Sequence, residues 1–386
     1  MSLVALASTP LTSVTLTSSP TNVVSISSEP AKFITLNSVS GSVHNPNVVL
    51  STNVTVAKRQ DTDAVFTLAA GNEGNFTADG ISGKGIITIQ GTYTPSTIAS
   101  GVQTGIAGSA SNSTTLNKPT GAANWTANNL RGKYLRITAG GGAGAAVRIR
   151  SNTTTAITCW PVVGLASGST FEIVDAASIL GTVTLTRNSA KFKFVGVKIT
   201  RLVTDSNTEI VCDGCHFNTP NVNGSVLTQN DNVVRINNCY VDAAASVIIQ
   251  AANRVEFDSN VMDTGKVKFD SCVKVDTDVD AKGGSSTPVW FFSCQSIDAG
   301  CAVSNATGDG IKFESCMRAE QAGVGWVGSG NTGYGVRVEG GGYVNGTGAT
   351  ITGNLNDLIC VDVATSWSTL ASSYVQIIAA GTHITA

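Results

Sequence analysis

Cysteines and one histidine form the motif that comes nearest to a cofactor site. Cys212, Cys215 and His216 match the string C-x-x-C-H, which is typical of covalent haem attachment. Haem of that type needs export, and the first residues contain no positively charged segment that would begin a signal peptide. Cys215 also fits a period that runs along the chain without haem. We therefore predict buried free thiols in a reducing cytoplasm, and no cofactor.

Three alternating aspartates, Asp276, Asp278 and Asp280, could share one face of a strand and bind Ca²⁺. The EF-hand pattern is not met, because Ala281 stands where that pattern requires glycine. A solvated loop without a metal is the interpretation we favour. Zinc would need a second pair of ligands, and the remaining cysteines are single residues about one repeat apart.

Pairs of carboxylates are the remaining candidates, because cleavage of a glycosidic bond needs two acids about 5–9.5 Å apart in a groove. Stacking of strands would bring Asp258 near Asp270, or Glu314 near Glu339. These acids occupy the fourth position of a six-residue repeat, described below, and this position is commonly polar. The repeat therefore explains them without catalysis. Asp309 is an isolated acid at a turn. We predict no catalytic residue, and sugar cleavage stays open as the alternative.

A six-residue repeat must position these side chains: apolar, any residue, apolar, polar, small, and then cysteine or a substitute. Its copies are residues 192–197, 210–215, 234–239, 255–260, 267–272, 289–294, 311–316 and 336–341. Their sixth positions are separated by 18, 24, 21, 12, 22, 22 and 25 residues. A period of about 20–25 residues without helical patterning predicts a solenoid of short strands, in which equivalent residues stack about 4.8 Å apart.

The step of 12 residues from Asn260 to Cys272 is too short for a full coil. We interpret one of these segments as lying on another face of an enlarged coil, with residues 275–287 as a loop or an extra hairpin. The corner cysteines should form a structural stack, since a small apolar thiol suits tight packing. The predicted members of this stack are Cys215, Cys239, Cys272, Cys294 and Cys316.

The composition favours an all-β protein. Charged residues make up 13% and hydrophobic residues 42% of the 386 residues, with 41 glycines and 9 prolines. Few charges with many β-branched and turn-forming residues favour strands over amphipathic helices. The net charge of −2 comes without a basic stripe, so nucleic acid is not an expected partner. No apolar run approaches the ~20 residues that a membrane span requires.

A different pattern interrupts the repeat. Residues 125–138 are typical of a strand, residues 140–144 of a glycine hairpin, and the stretch 147–174 of three further strands. The sequence thus predicts a small antiparallel β module inserted into a right-handed parallel β-helix. The predicted domains are an N-terminal cap or virion tether at 1–46, first coils at 47–100, the inserted module at 101–177, the main β-helix at 178–350 and closing strands at 351–386.

The module and its flanks resemble β-helix proteins of tailed-phage particles. The string GKYLRITAGGGAGAAVRIRSNTTTAIT at 132–158 is similar to a small β module that recurs in virion proteins. The flanks LAAGNEGNFTADGISGKGIITIQGTYTP (68–95) and GTVTLTRNSAKFKFVGVKI (181–199) are similar to the coils that surround it. Ala145 and Ala146 stand where the family has a polar residue after GAG, so a contact through that position is not carried over.

The resemblance implies a virion structural protein that forms a homo-trimer and contacts other capsid or tail proteins. The expected function is a non-enzymatic capsid decoration or spike, or a tail-associated spike, folded in the bacterial cytoplasm. The alternative is a tailspike that binds and cleaves host surface polysaccharide, with aromatic residues such as Trp326 and Tyr334 stacking on sugars. The lack of a clear acid pair and of a further C-terminal receptor-binding domain favours the non-enzymatic function.

Overall fold

The structure of the chain, a computed structural model, describes residues 61, 63–218, 226–242, 245–263, 265–284, 287–344, 349–352 and 356–360, together with five short strands near the two ends. Every regular element in this part of the chain is a β-strand. No helix described there is long and apolar enough to cross a membrane. The predictions for most of residues 1–60 and 361–386 lie outside the described residues.

The described strands fall into three groups along the chain. The first group is β1 (Val14–Leu16), β2 (Ile34–Leu36), β3 (Val48–Leu50), β4 (Val54–Thr55), β5 (Ala64–Leu68), β6 (Gly71–Asn72), β7 (Phe76–Asp79) and β8 (Ile86–Gln90). The second is β9 (Tyr93–Pro95), β10 (Thr104–Ile106), β11 (Thr115–Asn117), β12 (Tyr134–Ala139), β13 (Ala146–Asn152), β14 (Ala156–Cys159) and β15 (Thr170–Ala176). The third is β16 (Ser178–Thr186), β17 (Lys191–Val195), β18 (Lys198–Asp205), β19 (Glu209–Asp213), β20 (His216–Phe217), β21 (Val226–Gln229), β22 (Val233–Asn237), β23 (Tyr240–Val241), β24 (Ser246–Gln250), β25 (Arg254–Asp263), β26 (Lys266–Asp270), β27 (Lys274–Lys282), β28 (Val289–Phe292), β29 (Ser296–Ser304), β30 (Ile311–Ser329), β31 (Tyr334–Val344), β32 (Thr350–Thr352), β33 (Asn356–Cys360) and β34 (Val375–Ile377).

The first and third groups form one 27-stranded parallel sheet that winds into a solenoid of about 12 turns. Each strand pairs with the equivalent strand of the next coil, and the wall has three faces that we name A, B and C. Face A contains β8, β17, β19, β22 and the first halves of β25, β27 and β29. Face B contains the start of β18, then β20, β23 and the ends of β25, β27 and β29. Face C contains β21, β24, β26, β28 and the starts of β30 and β31. The predicted all-β solenoid is confirmed.

Alternating side chains build the core of the solenoid. In β17, Phe192 and Phe194 are fully buried, while the residues on either side of each are only partly buried. On face C, Phe269, Phe291 and Phe313 stack in successive coils with ring centroids 5.0 and 4.9 Å apart. Burial of apolar surface stabilises a fold by about 25 cal/mol per Å². A continuous column of this kind therefore stabilises every coil through its two neighbours.

Near the end of each copy of the repeat, one residue in the left-handed conformation turns the chain. This residue is the small fifth member of the copy, and its φ lies between +52° and +63°. The eight residues are Gly196, Gly214, Asn238, Ser259, Ser271, Ser293, Ser315 and Gly340. Left-handed backbone costs a residue with a Cβ about 1–2 kcal/mol, which glycine avoids and asparagine partly offsets. Backbone geometry as well as packing therefore selects a small residue.

The copies of the repeat lie on two different faces. The first four are on face A, where Val255 pairs with Val234. The last four are on face C, where Val267 pairs with Val247. The prediction that residues 275–287 form a loop or an extra hairpin is wrong, because β27 occupies most of this segment and pairs with β29 along its whole length. The coil is of ordinary size, since the motif merely moves from one corner of the solenoid to another.

The second group of strands forms an antiparallel module between β8 and β16. Its strand order is β10-β15-β12-β13-β14-β11, with β9 beside β15. The sheet curls on itself, because just beyond β10 the Gly108 amide donates to the Asn117 carbonyl at 2.9 Å. It encloses a separate hydrophobic core that includes Trp125, Leu135 and Phe171. The module is thus folded around its own interior rather than spread over the solenoid.

Candidate functional site: an acidic groove and the docked module

The cysteines of the predicted stack lie at two corners of the solenoid. Cys215 and Cys239 are at the corner between faces A and B, where the Cys215 amide donates to the Cys239 sulfur at 3.2 Å. Asn260 continues this column, since its Oδ1 accepts from the Cys239 amide at 2.7 Å. The corner between faces C and A contains Cys272, Cys294 and Cys316.

Each of the eight cysteines with a described side chain is a buried free thiol. The Cys272 thiol, for example, donates to the carbonyls of Ile249 at 3.4 Å and Asp270 at 3.6 Å. The neighbouring Cys215 thiol and burial raise the pKa of Cys212. Both thiols of the C-x-x-C-H string are 0% exposed within the core, so the string does not fit covalent haem. Among the described residues, no group of three histidines, cysteines or acids is arranged to hold a metal ion.

A groove on face A brings together carboxylates from several coils. It has a volume of about 320 Å³. Five of its lining residues are acidic: Glu256, Asp258, Asp276, Asp278 and Asp298. Glu256, Asp276 and Asp298 are equivalent residues of successive coils. Their carboxylates therefore follow the groove at about 4.8 Å per coil.

Two basic side chains bridge this acidic row. Arg254 Nη2 lies 2.8 Å from a Glu256 oxygen and 3.9 Å from an Asp276 oxygen. Lys274 Nζ lies 3.3 Å from an Asp276 oxygen and 3.5 Å from an Asp298 oxygen. Exposed pairs of this kind stabilise the fold by at most about 1 kcal/mol each. Their main effect is to neutralise part of the row's charge and to fix the direction of its carboxylates.

Asp258 differs from the bridged acids. The pairing of β25 with β27 shifts between Phe257 and Asn260, so Asp258 stands on a bulge beside the groove. Burial raises the pKa of Asp258, hydrogen bonds from Ser259 oppose this shift, and the charge of Glu256 adds to it. The groove therefore combines an acid that retains its proton more readily with carboxylates held by cations. Such a difference is what separates a proton donor from a carboxylate in sugar-cleaving sites.

Asp278 lies against an irregular part of β30. Between Gln321 and Trp326 this strand has extra residues relative to the opposite stretch of β29. A Cβ added to Gly323 would lie 2.7 Å from the Asp278 carboxyl group. The extra residues therefore approach Asp278 closely through backbone, which requires glycine, and they form one wall of the groove.

Of the two acid pairs considered in the sequence, one is divided between two faces and the other lies on a single face. Asp258 and Asp270 belong to faces A and C, so they do not form a pair. Glu314 and Glu339 are neighbours in register on face C. Lys312 Nζ lies 2.7 Å from both of these carboxylates, so they are neutralised at the surface.

The alternating aspartates are also separated. They belong to β27, so the interpretation of a solvated loop is wrong. Asp276 and Asp278 line the groove. Asp280 has passed the corner onto face B, where its carboxylate accepts from Arg131 at 2.7 Å and from Arg150 at 2.8 Å. The strand bends between the aspartates, and this bend removes the shared face that Ca²⁺ would need.

Two further candidates have structural partners. Asp309 Oδ1 accepts from the Tyr334 amide at 3.0 Å, and its Oδ2 pairs with Arg337 at 3.2 Å. Trp326 is 1% exposed and packs at an angle against Phe313, so it cannot contact a sugar. Asp309 therefore anchors a turn, and Trp326 belongs to the core.

Arg148 of β13 fastens the module to the solenoid at the corner between faces A and B. It is 1% exposed, and among the described residues no carboxylate forms an ion pair with it. Its guanidinium donates to the carbonyls of Gly132 at 2.7 Å, Gly214 at 3.1 Å and Cys215 at 2.8 Å. The Tyr134 ring lies 3.6 Å below it. Carbonyl oxygens and an aromatic face thus replace the counter-ion that a buried cation normally requires.

Hydrogen bonds to Asn238 add to this contact. Its Oδ1 accepts from the Arg148 amide at 2.8 Å, and its Nδ2 donates to the Ala146 carbonyl at 2.7 Å. Sequence reasoning missed this interface. Two glycines could have indicated it. Gly196 and Gly214 occupy the left-handed position where most other copies of the repeat have serine or asparagine, and Tyr93 and Tyr134 lie close to them.

Comparisons with known proteins give no close relative. No protein-family model matches the chain, and no curated protein matches its sequence. The tailspike protein gp49 from Pseudomonas phage LKA1 is 12% identical with a TM-score of 0.22, over 90% of this chain and 74% of that chain. The Gp54 tailspike of Acinetobacter baumannii bacteriophage AP22, in complex with A. baumannii capsular saccharide, is 11% identical with a TM-score of 0.17, over 84% of this chain and 72% of that chain. Likeness at this level assigns no function to this chain.

Proposed function

We propose that the chain is a structural spike of a bacteriophage particle, associated with the tail, that carries a lateral module on a stiff rod. The observation that carries this proposal is a single core that extends through the coils from Ala64 to Ile351. Coils joined by both core columns and backbone hydrogen bonds open only at a high free-energy cost, which resists proteases. The resemblance of residues 60–345 to virion β-helix proteins supports the phage assignment.

The proposed spike is a homo-trimer that contacts other virion proteins and folds in the bacterial cytoplasm. Face C supports a contact between subunits, because Leu227 and Ile248 are neighbours in register with partly exposed side chains. Apolar side chains in such positions are stabilised when another subunit covers them.

Gold-labelled antibodies against the recombinant chain are expected to mark the tails of intact phage particles in electron micrographs. Sedimentation equilibrium of the recombinant chain is expected to give the mass of three chains. Labelling confined to heads would exclude a tail spike, and unlabelled particles would exclude a virion protein. Antibody adsorbed with the pure chain is the matched control.

A specific observation favours a second candidate function, which is cleavage of a host surface polysaccharide in the groove. Asp258 has a raised pKa, and neighbouring carboxylates such as Asp276 are held by cations. Asp276 is in register with Glu256, and Asp258 stands two residues beyond Glu256, so Asp258 and Asp276 are diagonal neighbours on adjacent coils. Their backbone separation is about 8 Å, within the ~6.5–9.5 Å between the carboxyl groups of inverting glycosidases. In this function Asp258 would protonate the leaving oxygen and Asp276 would face the sugar.

Incubation of capsular polysaccharide with the pure chain separates the two functions. The structural function predicts an intact polymer, whereas release of reducing ends would overturn it. If release occurs, Asp258→Asn is expected to slow it about 100-fold or more, because it removes the proton donor. Asp270→Asn makes the same change on face C, and it should leave the rate unaltered. Equal rates for the two variants would place the reaction outside the groove.

A further inference from the structure

The module docks over a histidine of the solenoid. His216 lies on face B in register between Lys198 and Tyr240, and its ring is 4.9 Å from the Tyr240 ring. Its side chain is 21% exposed. Arg148 of the module reaches the same place, since its Nη2 donates at 2.8 Å to the carbonyl of Cys215, the residue before His216. A titratable group therefore lies directly beside one of the contacts that fasten the module.

The charges that face His216 are unequal. The cations are Lys198 on the strand beside it and Arg148 on the module. The facing carboxylate is Asp242, whose Oδ2 lies 3.5 Å from His216 Nε2. Two positive charges thus already oppose one negative charge before His216 takes up a proton. Protonation of His216 would add a third positive charge beside the Asp242 carboxylate.

The connections of the module would let it loosen without unfolding. The chain leaves the solenoid after β8 and returns at β16, and the two connections lie side by side, since the Ala177 amide donates to the Thr92 carbonyl at 2.8 Å. The module also has its own hydrophobic core. Separation at the Arg148 contact would therefore expose polar groups and the Tyr134 ring, and leave both cores closed.

We propose that His216 makes the docking of the module acid-sensitive, so that protonation of this residue loosens the module from the solenoid. Burial lowers the pKa of His216, Asp242 opposes this shift, and Arg148 and Lys198 add to it. Loosening would move Arg148 away and admit water, so the undocked form binds the proton more tightly. By linkage, docking is strongest above the ordinary histidine pKa of about 6.5 and weakens as the pH falls below it.

Hydrogen–deuterium exchange tests this inference on the whole chain at about pH 7.5 and pH 5.0. After correction for intrinsic rates, the Arg148 amide, which donates to Asn238 across the interface, is expected to exchange several-fold faster at the lower pH, because the undocked form binds the proton more tightly. Amides in the aromatic column of face C should not change. Equal protection of the Arg148 amide at both pH values would overturn the proposal.

Two variants identify the titrating group. His216→Gln cannot gain a proton, so its module should stay protected at about pH 5.0. An unchanged acid response in this variant would overturn the role of His216. Asp242→Asn removes the carboxylate that favours protonated His216, so the response should move to lower pH. Circular dichroism at about pH 7.5 checks that both variants fold, and a response that Asp242→Asn leaves unmoved would contradict the proposed charge balance.

Discussion

Replacing Asn207 by alanine is expected to lower the free energy of unfolding by about 3 kcal/mol, because Asn207 is the central rung of a buried hydrogen-bond ladder. Its Oδ1 accepts from the Asn188 amide at 3.1 Å and from Asn188 Nδ2 at 2.7 Å. Its Nδ2 donates to the Leu185 carbonyl at 3.0 Å and to Asp231 Oδ1 at 2.8 Å. Asn207 is 2% exposed, so alanine would leave polar groups of the neighbouring coils without partners or water.

Urea unfolding followed by circular dichroism measures this loss as a lower midpoint at an unchanged slope. Asn253→Ala is the matched control. Asn253 is exposed, and its Nδ2 donates to Asn232 Oδ1 at 2.9 Å in contact with solvent. That substitution should cost less than about 0.5 kcal/mol. Equal midpoints for the two variants would contradict a structural role for the ladder.

The ladder shows why the cysteines alone revealed only part of the residues that stack at this corner. Asn188, Asn207 and Asp231 follow the same left-handed corner, between faces C and A, that Cys272 occupies farther along the chain. Thiols and amides both place a small polar atom where main-chain groups of two coils meet. The C–A corner therefore changes along the axis from two amides and the Asp231 carboxylate, through Ala252, to thiols. A search for cysteine alone finds only its second half.

The solenoid itself followed from the sequence, and the face of each repeat copy did not. Alternating apolar residues and a repeat about as long as one coil are local features that every solenoid of this kind shows in its sequence. Each coil has three corners, and the same string of strand, left-handed residue and small side chain suits all of them. The short step between Asn260 and Cys272 therefore had two physical explanations, an enlarged coil or a change of corner. The pairing of Val267 with Val247 selects the change of corner.

The groove could have been found from spacing, whereas the docking could not. Glu256, Asp276 and Asp298 are 20 and 22 residues apart, which is one coil each, and the assignment of residues 275–287 to a loop hid this period. Arg148 and Asn238 are 90 residues apart and belong to separately folded units. No periodic pattern links two such units, so their contact depends on shape and on the polar groups that each leaves at its surface.

Replacing Gly214 by alanine is expected to cost about 3 kcal/mol and to loosen the module, because the space above this glycine is filled. A Cβ at Gly214 would lie 2.0 Å from the Tyr134 hydroxyl oxygen. The Tyr134 ring is held between Tyr93, with centroids 5.2 Å apart, and Arg148, at 3.6 Å. Since Tyr134 is 0% exposed, it cannot move aside without opening the docked interface.

Gly80→Ala separates this contact from backbone strain. Gly80 has φ +65° against +63° at Gly214, and a Cβ there would meet nothing within 4 Å. Left-handed strain alone should therefore cost Gly80→Ala about 1 kcal/mol, measured by the same urea unfolding. Equal losses for the two alanine variants would contradict the seating of Tyr134 on this corner.

A double-mutant cycle then assigns the difference to one atom. Tyr134→Phe removes the hydroxyl group, so in the Gly214→Ala background it should restore part of the lost stability, although the ring Cζ would still lie 3.0 Å from the new Cβ. In the Gly80→Ala background, the effect of Tyr134→Phe on the free energy of unfolding should simply add to that of Gly80→Ala. A coupling energy of about 1 kcal/mol or more between positions 134 and 214, with none between positions 134 and 80, is the expected result. Additivity in both backgrounds would mean that the hydroxyl does not rest on the corner, because both glycines share the same strain and differ only in what lies above them.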